Sequence, residues 1–180
     1  MNELHTLHQN LTSVLTKAEL RVRMKAVRSS MGEAEVRASS LRIQERLLAL
    51  DEVRRAETLV IYVAVGKEVA TEGLIRHLLG SGKRVAIPRV LNSTSMEACE
   101  IREWGDWPPG VMGIPSPRAG SPLSTPMDVC IVPGLAFSSQ GDRLGFGCGH
   151  WDRFLEKTPA ATVIGLCHDQ QVVDALRGDR

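Results

Sequence analysis

The sequence has almost no net charge. Twenty-two lysines and arginines against 21 aspartates and glutamates leave a formal charge of +1 over 180 residues. Such a balance does not supply the broad positive field that nonspecific nucleic-acid binding needs. We therefore expect no nucleic-acid partner, and any anion-binding site has to be local.

Paired cysteines and long apolar runs are also missing. The four cysteines are well separated and none has the Cys-x-x-Cys spacing of a zinc site or a redox dithiol. No apolar stretch approaches the ~18 residues of a membrane span. The N-terminus lacks the basic patch and long apolar run of a signal peptide. These features predict reduced thiols, no membrane partner and a cytoplasmic location.

Helix signals dominate the first third of the chain. A length of 180 residues suits one domain, which we expect over residues 1–180 with residues 1–15 as a frayed N-terminal arm. Thr16-Lys-Ala-Glu19 matches a capping box, flanked by Leu15 and Leu20 as a hydrophobic staple, so a helix should begin there. An amphipathic pattern predicts a second helix over residues 33–50.

Short apolar runs alternate with helical segments in the rest of the chain. Continuous β-branched runs predict buried strands, and a helix is predicted between the first two of them. This alternation predicts a layered α/β domain with a mostly parallel sheet and some antiparallel additions. The predicted strands are 58–65, 84–88, 96–102 at an edge, 128–132 and 161–167, and the helix is 72–80. Six of the nine prolines fall in residues 103–126, which we interpret as a long ordered flap.

The segment at 143–152 reads Arg-Leu-Gly-Phe-Gly-Cys-Gly-His-Trp-Asp. Alternate glycines remove the Cβ atoms that would keep a phosphate away from backbone N–H groups, and a helix predicted to begin near His150 would point its positive end there. Arg143 adds a bidentate donor. The segment is neither the Walker pattern nor the dinucleotide fingerprint. Its spacing alone fits a phosphate loop and a glycine-rich turn without a ligand equally well.

The whole string over residues 131–155 resembles the signature of the 5-formyltetrahydrofolate cyclo-ligase family. Lys17-Ala-Glu-Leu-Arg21 is similar to that family's N-terminal nucleotide-binding element, and residues 62–71 resemble its folate-receiving strand and loop. The resemblance runs from about residue 16 to about residue 177. It implies a single three-layer α/β/α domain with a mixed, mostly parallel sheet, similar to the NagB/RpiA/CoA transferase-like fold.

The resemblance also implies ligands and residue roles. ATP would be the co-substrate, Mg²⁺ the metal, and 5-formyltetrahydrofolate, with one or more glutamates, the substrate of a monomer or weak homodimer. Lys17 and Arg143 would be catalytic, and Asp152 would hold the metal. The folate would contact Val63, Glu68, Phe146, Gly147, Cys148, Gly149 and His150. The nucleotide would contact Lys17, Ala18, Glu19, Leu20, Arg21, Arg143, Leu144, Gly145, Phe146, Gly147, Cys148, Gly149, His150 and Trp151.

Several of these residues also have a purely structural reading. Lys17 in a first helical turn opposes the macrodipole unless an anion is near, which favours function. Arg21 could be a surface cation, and Glu68 could be a solvated loop glutamate at the carboxyl end of a strand. Asp152 could simply stabilise the first turn of a helix. No base and orienting partner accompany Cys148, so we do not expect it to act as a nucleophile.

The sequence departs from the family pattern at several places. His150-Trp151 stands where two tyrosines are common, Ala70 replaces a polar residue, and the flap lacks an aromatic residue before Gly113-Ile114. The family's C-terminal segment, whose aspartate contacts magnesium, is expected to be absent after residues 168–176. Two alternatives to the enzyme therefore stay open. One is a diverged member that binds nucleotide or folate without turnover, and the other is a sugar-phosphate isomerase on a similar scaffold.

Overall fold

The computed structural model of the protein describes residues 15–117, 120–124, 126–157 and 162–176. Apart from Leu15, the predicted N-terminal arm lies outside these residues. No helix of the described part is long and apolar enough to cross a membrane.

Helix α1 (Lys17–Ser30) begins at the predicted capping box. The Thr16 hydroxyl accepts the Glu19 N–H at 3.3 Å, and the Glu19 carboxylate accepts the Thr16 N–H at 2.8 Å. Helix α2 (Glu33–Ala49) matches the second predicted helix, and a short helix α3 (Asp51–Arg55) follows it. The sequence reading missed α3, because five residues are too few to show a helical period.

The main sheet has five strands in the order β3-β2-β1-β4-β7. All neighbours are parallel except β3, which pairs antiparallel with β2 as the predicted edge strand. The mostly parallel mixed sheet is therefore confirmed. The strands are β1 (Thr58–Ile61), β2 (Arg84–Val90), β3 (Met96–Ile101), β4 (Val129–Val132) and β7 (Thr162–Gly165).

Helices cover both faces of this sheet. On one face, side chains of α2, α3 and α4 (Glu72–Gly80) pack on β1, β2 and β4. On the other, Trp151, Phe154 and Leu155 of α5 (His150–Glu156) pack on Val60, Ala86 and Cys130. These are the three layers that the sequence pattern and the resemblance predicted.

Strand β1 ends earlier than predicted. The expected strand ran over residues 58–65, but the chain leaves the sheet after Ile61, because residues 62–71 turn back on themselves. The Tyr62 hydroxyl donates to the Val69 carbonyl at 2.8 Å, and the Ala64 N–H donates to the Thr71 hydroxyl at 3.0 Å. This bonded loop forms one wall of the cleft described below.

A second sheet has the order β6-β5-β8 and was not predicted. It contains β5 (Ala136–Ser138), β6 (Arg143–Leu144) and β8 (Val172–Val173). Leu20 and Met24 of α1 are buried against Leu135, Ala136 and Leu144 on this sheet. The small sheet therefore fixes where α1 lies relative to the glycine segment.

Candidate active site

A cleft of about 380 Å³ opens beyond the carboxyl ends of β1 and β4. This edge of an open α/β sheet is where ligands usually bind. The cleft is lined by α1, the loop after β1, the β2–β3 hairpin and the glycine segment, together with Pro133 after β4 and Ile114 of the 103–126 segment. Lys17, Arg21, Val63, Glu68 and every residue from 143 to 152 take part in the lining. The structure thus brings together segments that lie more than a hundred residues apart in the chain, as in the pair Arg21 and Gly145.

Three residues of the predicted nucleotide-binding element lie elsewhere. Leu20 is 4% exposed and belongs to the core between α1 and the small sheet. The Glu19 carboxylate caps α1, and Ala18 is exposed outside the cleft. A helix presents only every third or fourth residue to one side, so Lys17 and Arg21 reach the cleft while Ala18, Glu19 and Leu20 do not.

The glycine segment is held from two sides. From α1, the Arg21 Nε donates to the Gly145 carbonyl at 3.1 Å. From α5, Arg153 donates to the Cys148 carbonyl at 2.6 Å and to the Thr94 carbonyl of the β2–β3 hairpin at 2.7 Å. The His150 Nε2 lies 2.9 Å from the Asn92 carbonyl of the same hairpin. The hairpin is therefore fastened to the start of α5 and closes one side of the cleft.

Two positions in this segment require glycine. Gly147 has φ +109° and Gly149 has φ +66°, conformations that L side chains rarely adopt. A Cβ on Gly149 would also lie 2.7 Å from the Arg153 Nη1. The backbone is thus bare where it faces the cleft, which is the property that a phosphate-binding loop needs.

Arg143 and Asp152 form an ion pair at the mouth of the cleft. The Arg143 side chain is 12% exposed and that of Asp152 is 67% exposed. Burial lowers the pKa of Arg143, and the nearby Asp152 carboxylate opposes this shift. The pair places a buried cation against the glycine segment and an accessible carboxylate beside it.

The carboxylate fits a magnesium ion that also binds a nucleotide. The described residues contain no group of three or more histidine, cysteine or carboxylate side chains that could hold a metal by themselves. Mg²⁺ bound with nucleotide phosphates needs only one or two protein carboxylates, because phosphates and water complete its octahedron. Asp152 meets that requirement at the edge of the glycine segment.

Glu68 lies at the other end of the cleft and is 9% exposed. Its Oε2 accepts the Val65 N–H at 2.9 Å, and its Oε1 lies 3.3 Å from the Arg28 Nη1. Burial raises the pKa of Glu68, while the Val65 N–H and the Arg28 guanidinium counter that shift. The site therefore offers a fixed buried acceptor, which is not the solvated loop glutamate of the structural reading.

The loop that carries Glu68 is also held at Ala70, the residue that stands where the family pattern has a polar side chain. The Ala70 N–H donates to the Ser40 hydroxyl at 3.0 Å, and the Ala70 carbonyl accepts the Gln44 amide at 2.7 Å. These bonds use only the backbone of Ala70. The alanine therefore leaves the loop tied to α2.

The sequence reading missed part of the lining. Arg28, seven residues after Arg21, lies on the same side of α1, so helical spacing could have identified it. Pro88, Val90 and Met96 also line the cleft, but they reach it through the β2–β3 pairing, which carries no local signal. The rings of Trp104 and Trp107 contact each other at a tilt of 56°, with centroids 4.7 Å apart, and pack against the main core outside this cleft.

Fold and cleft together define a layered α/β protein with a cationic, glycine-walled ligand site next to a buried carboxylate. The model of the 5-formyltetrahydrofolate cyclo-ligase family matches residues 14–178. The chain belongs to the 5-formyltetrahydrofolate cyclo-ligase family, whose members are ligases.

Individual relatives agree with this assignment. The chain is 31% identical over 170 residues to the 5-formyltetrahydrofolate cyclo-ligase of Mycolicibacterium smegmatis, covering 89% of this chain and 86% of the relative. It is 27% identical over 177 residues to the probable 5-formyltetrahydrofolate cyclo-ligase of Caenorhabditis elegans, covering 89% and 85%. The solved structure of Aquifex aeolicus 5,10-methenyltetrahydrofolate synthetase superposes with a TM-score of 0.81 at 28% identity, covering 92% of this chain and 84% of that one.

Proposed function

We propose that this protein closes 5-formyltetrahydrofolate to 5,10-methenyltetrahydrofolate with ATP and Mg²⁺, releasing ADP and phosphate. One observation carries the proposal. A single cleft joins Lys17, Arg21 and a glycine segment at one end to the buried carboxylate of Glu68 at the other. An anionic co-substrate and a hydrogen-bond-donating heterocycle can therefore lie side by side.

The two ends of the cleft suit different ligands. Lys17, Arg21, Arg143 and the bare backbone of the glycine segment would neutralise the phosphates of ATP. The fixed Glu68 carboxylate can accept two N–H groups of a pterin ring, with Val63 against the ring. Residues 146–148 line the cleft between these groups, where the two ligands would meet.

The reaction needs an activated formyl oxygen, because that oxygen belongs to an amide-like group and leaves poorly. In the proposed sequence the γ-phosphoryl group moves from ATP to the formyl oxygen. N10 then attacks the formyl carbon, the C–O bond breaks to release phosphate, and the N10 proton leaves to solvent or phosphate. No protein nucleophile is required, and positioning together with charge neutralisation by the cleft residues supplies the catalysis.

Asp152 would hold the Mg²⁺ that accompanies the nucleotide. The ion pair with Asp152 keeps the guanidinium of Arg143 beside the glycine segment. A metal on Asp152 would compete for that carboxylate and leave Arg143 available to an anionic phosphate.

The test is formation of the methenyl chromophore. The purified protein is incubated with 5-formyltetrahydrofolate with and without ATP and with and without Mg²⁺, and absorbance is followed. Formation that depends on both ATP and Mg²⁺ is the expected result. Measurable binding of ATP and folate without any chromophore would favour the diverged binding protein instead. Conversion of a sugar phosphate without ATP would favour the isomerase.

Asp152→Asn sharpens this test. The amide cannot supply the negative charge that Mg²⁺ needs, so the rate at saturating ATP should fall by about 100-fold or more. Asp142→Asn is the matched control, since Asp142 lies in the β5–β6 turn and is bonded to Ser138 outside the cleft. Equal rates for Asp152→Asn and the wild type would remove Asp152 from the proposal.

We propose one domain over residues 1–180, a cytoplasmic location, a monomer or weak homodimer, and a substrate that can carry several glutamates. Size-exclusion chromatography with light scattering at several protein concentrations tests the oligomeric state.

A further inference from the structure

Arg28 lies between the two ends of the cleft. It occupies the last turn of α1, and its side chain is 14% exposed. No family motif described above includes it. Its Nη1 lies 3.3 Å from the Glu68 Oε1, and its Cζ lies 5.2 Å from the centroid of the Phe146 ring. The Arg28 side chain therefore contacts both the loop after β1, which carries Glu68, and the glycine segment.

Each contact has its own physical consequence. Glu68 and Arg28 are both largely buried, so their attraction depends strongly on how much water remains around them. The guanidinium over the Phe146 face is a cation–π contact, which strengthens when the pair is desolvated. Phe146 is 36% exposed, so part of its ring is open to a ligand in the cleft.

We propose that Arg28 is a positioning residue that couples the occupancy of the nucleotide end of the cleft to that of the folate end. This inference rests on the division of the cleft proposed above. A nucleotide that covers the exposed part of Phe146 also removes water from the Arg28 guanidinium. The less solvated guanidinium then holds Glu68 more firmly in the orientation that accepts the folate. Because linkage is reciprocal, folate bound to Glu68 tightens nucleotide binding by the same factor.

The effect needs no large movement. Ligand binding changes the local dielectric around Arg28 and its two partners, Glu68 and Phe146. The coupling arises because the contacts of Arg28 with these partners are stronger once both ends of the cleft are covered. Arg21 also touches the glycine segment, but its hydrogen bond goes to the Gly145 carbonyl and does not reach the loop after β1. Arg28 is therefore the residue that we assign to the coupling.

The test is a binding cycle measured by calorimetry. The dissociation constant of 5-formyltetrahydrofolate is measured with and without a non-hydrolysable ATP analogue and Mg²⁺. The wild type should bind the folate about fivefold or more tightly with the analogue present, the low end of ordinary coupling between sites. In Arg28→Met this ratio should fall to about one, while affinity for the analogue alone changes by less than about threefold, because Arg28 is not among the proposed phosphate contacts.

Four further variants separate coupling from simple damage. Arg28→Lys keeps a charge for Glu68 but loses the planar group over Phe146. It should therefore keep most of its folate affinity, while the ATP analogue should no longer tighten folate binding by much. In Phe146→Leu the analogue should likewise fail to tighten folate binding. The double variant with Arg28→Met should show the same ratio of folate dissociation constants as either single variant. Lys25→Met is the matched control on the same helix, because Lys25 is exposed and does not line the cleft, and it should retain the wild-type ratio.

A ratio in Arg28→Met or Arg28→Lys equal to that of the wild type would overturn the inference, as would a wild-type ratio of one. If Arg28→Met fails to fold by circular dichroism, Arg28→Lys and Phe146→Leu decide. Failure of the proposed function is a different outcome. There the wild type binds neither ligand or forms no methenyl product, whereas loss of the coupling alone leaves both ligands bound and product formed.

Discussion

Cys148 differs from the other three cysteines in its surroundings. It is exposed in the glycine segment and lines the cleft, whereas Cys99 and Cys130 are buried. Burial raises the pKa of Cys130 to about 12 and that of Cys167 to about 11. Burial also raises the pKa of Cys99. Because the thiolate is the reactive form, these three thiols should react slowly.

One thiol of the native protein should therefore react rapidly with a disulfide reagent at about pH 8, and Mg-ATP should slow that reaction by covering the glycine segment. Cys148→Ser should abolish the rapid phase, and unfolding in guanidinium should expose all four thiols. If two thiols of the native protein react rapidly, a cysteine other than Cys148 is accessible, which would contradict the expected slow reaction of the other three.

At the scale of single residues, the sequence could identify side chains that belong to a continuous motif. Residues 143–152 all lie in the cleft, and so do Lys17, Arg21 and Glu68. The motif as a continuous block also predicts Ala18, Glu19 and Leu20 in the site, but helix geometry turns these three residues away from the cleft. Helical spacing from Arg21 could have placed Arg28 on the cleft side of α1, but its pairing with Glu68 could be found only from the structure.

Helix α1 owes its place to apolar burial on the small sheet. Met24 is 1% exposed in the cluster with Leu135 and Leu144, while Val22 of the same helix is 71% exposed. The helix carries Lys17, Arg21 and Arg28, so its packing also sets the position of the cationic wall of the cleft.

Met24→Ala should therefore lower the free energy of unfolding by about 2–5 kcal/mol, as large-to-small core changes do. It should also weaken nucleotide binding, because α1 would hold its cations less firmly. Urea denaturation and nucleotide titration measure the two effects. Val22→Ala is the control and should change stability by less than about 0.5 kcal/mol, as is usual at the surface. An unchanged stability in Met24→Ala would contradict the packing.

Asp128 joins the beginnings of two neighbouring strands. Its Oδ2 accepts the Glu57 N–H at 2.8 Å and the Thr58 N–H at 2.9 Å, so it ties the segment before β4 to the start of β1. These backbone hydrogen bonds lower the pKa of Asp128 from the ordinary value of 3.8. A carboxyl group with a lowered pKa stabilises the fold above its unfolded pKa and loses that contribution as the pH falls through its folded pKa.

Asp128→Asn should accordingly cost about 1 kcal/mol near neutral pH, since charged acceptors make stronger hydrogen bonds than amides. The difference from the wild type should shrink as the pH falls below the ordinary value of 3.8, where the unfolded carboxyl is already protonated. Chemical denaturation across this range tests it. Asp106→Asn is the control at an exposed aspartate and should change stability near neutral pH by less than about 0.5 kcal/mol.

At the scale of elements, the sequence predicted the helices and strands that are long enough to show a hydrophobic period. Helices α1, α2 and α4 and the strands of the main sheet all lie where the pattern placed them, although β2 is two residues longer than predicted and the other four strands are shorter. Strands β5, β6 and β8 have three, two and two residues, too few for any alternation to appear. These short strands form through contacts with α1 and with each other.

The cleft is built from segments that lie far apart in the chain, so a ligand that fills it ties them together. Ligand binding to the native state alone adds stability equal to RT ln(1 + [L]/Kd), about 2.7 kcal/mol at a hundredfold excess over Kd. For a chain of 180 residues, each 1 kcal/mol raises the melting temperature by about 2–4 °C.

Saturating Mg-ATP should therefore raise the melting temperature by about 5–10 °C in differential scanning fluorimetry. The shift should be much smaller without Mg²⁺ or with Asp152→Asn, whereas Asp142→Asn should retain it. A shift that ignores both the metal and Asp152 would place the nucleotide elsewhere on the molecule.

The fold class as a whole could be predicted from alternation alone, because parallel strands need helical crossovers. The strand order could not, since placing β1 between β2 and β4 depends on contacts far apart in sequence.

The position of β1 also matters while the chain is being synthesised. Its neighbour β2 emerges soon after it, but the pairing with β4 spans about 70 residues, as the bond between Thr58 and Asp128 shows. At 5–20 residues per second, a ribosome needs roughly 4–14 s to cover that distance. During this interval one edge of a strand that is entirely buried in the finished fold has no partner, and such an edge readily pairs with other chains. The strand at the centre of the finished sheet is thus the one that most needs a chaperone before translation reaches β4.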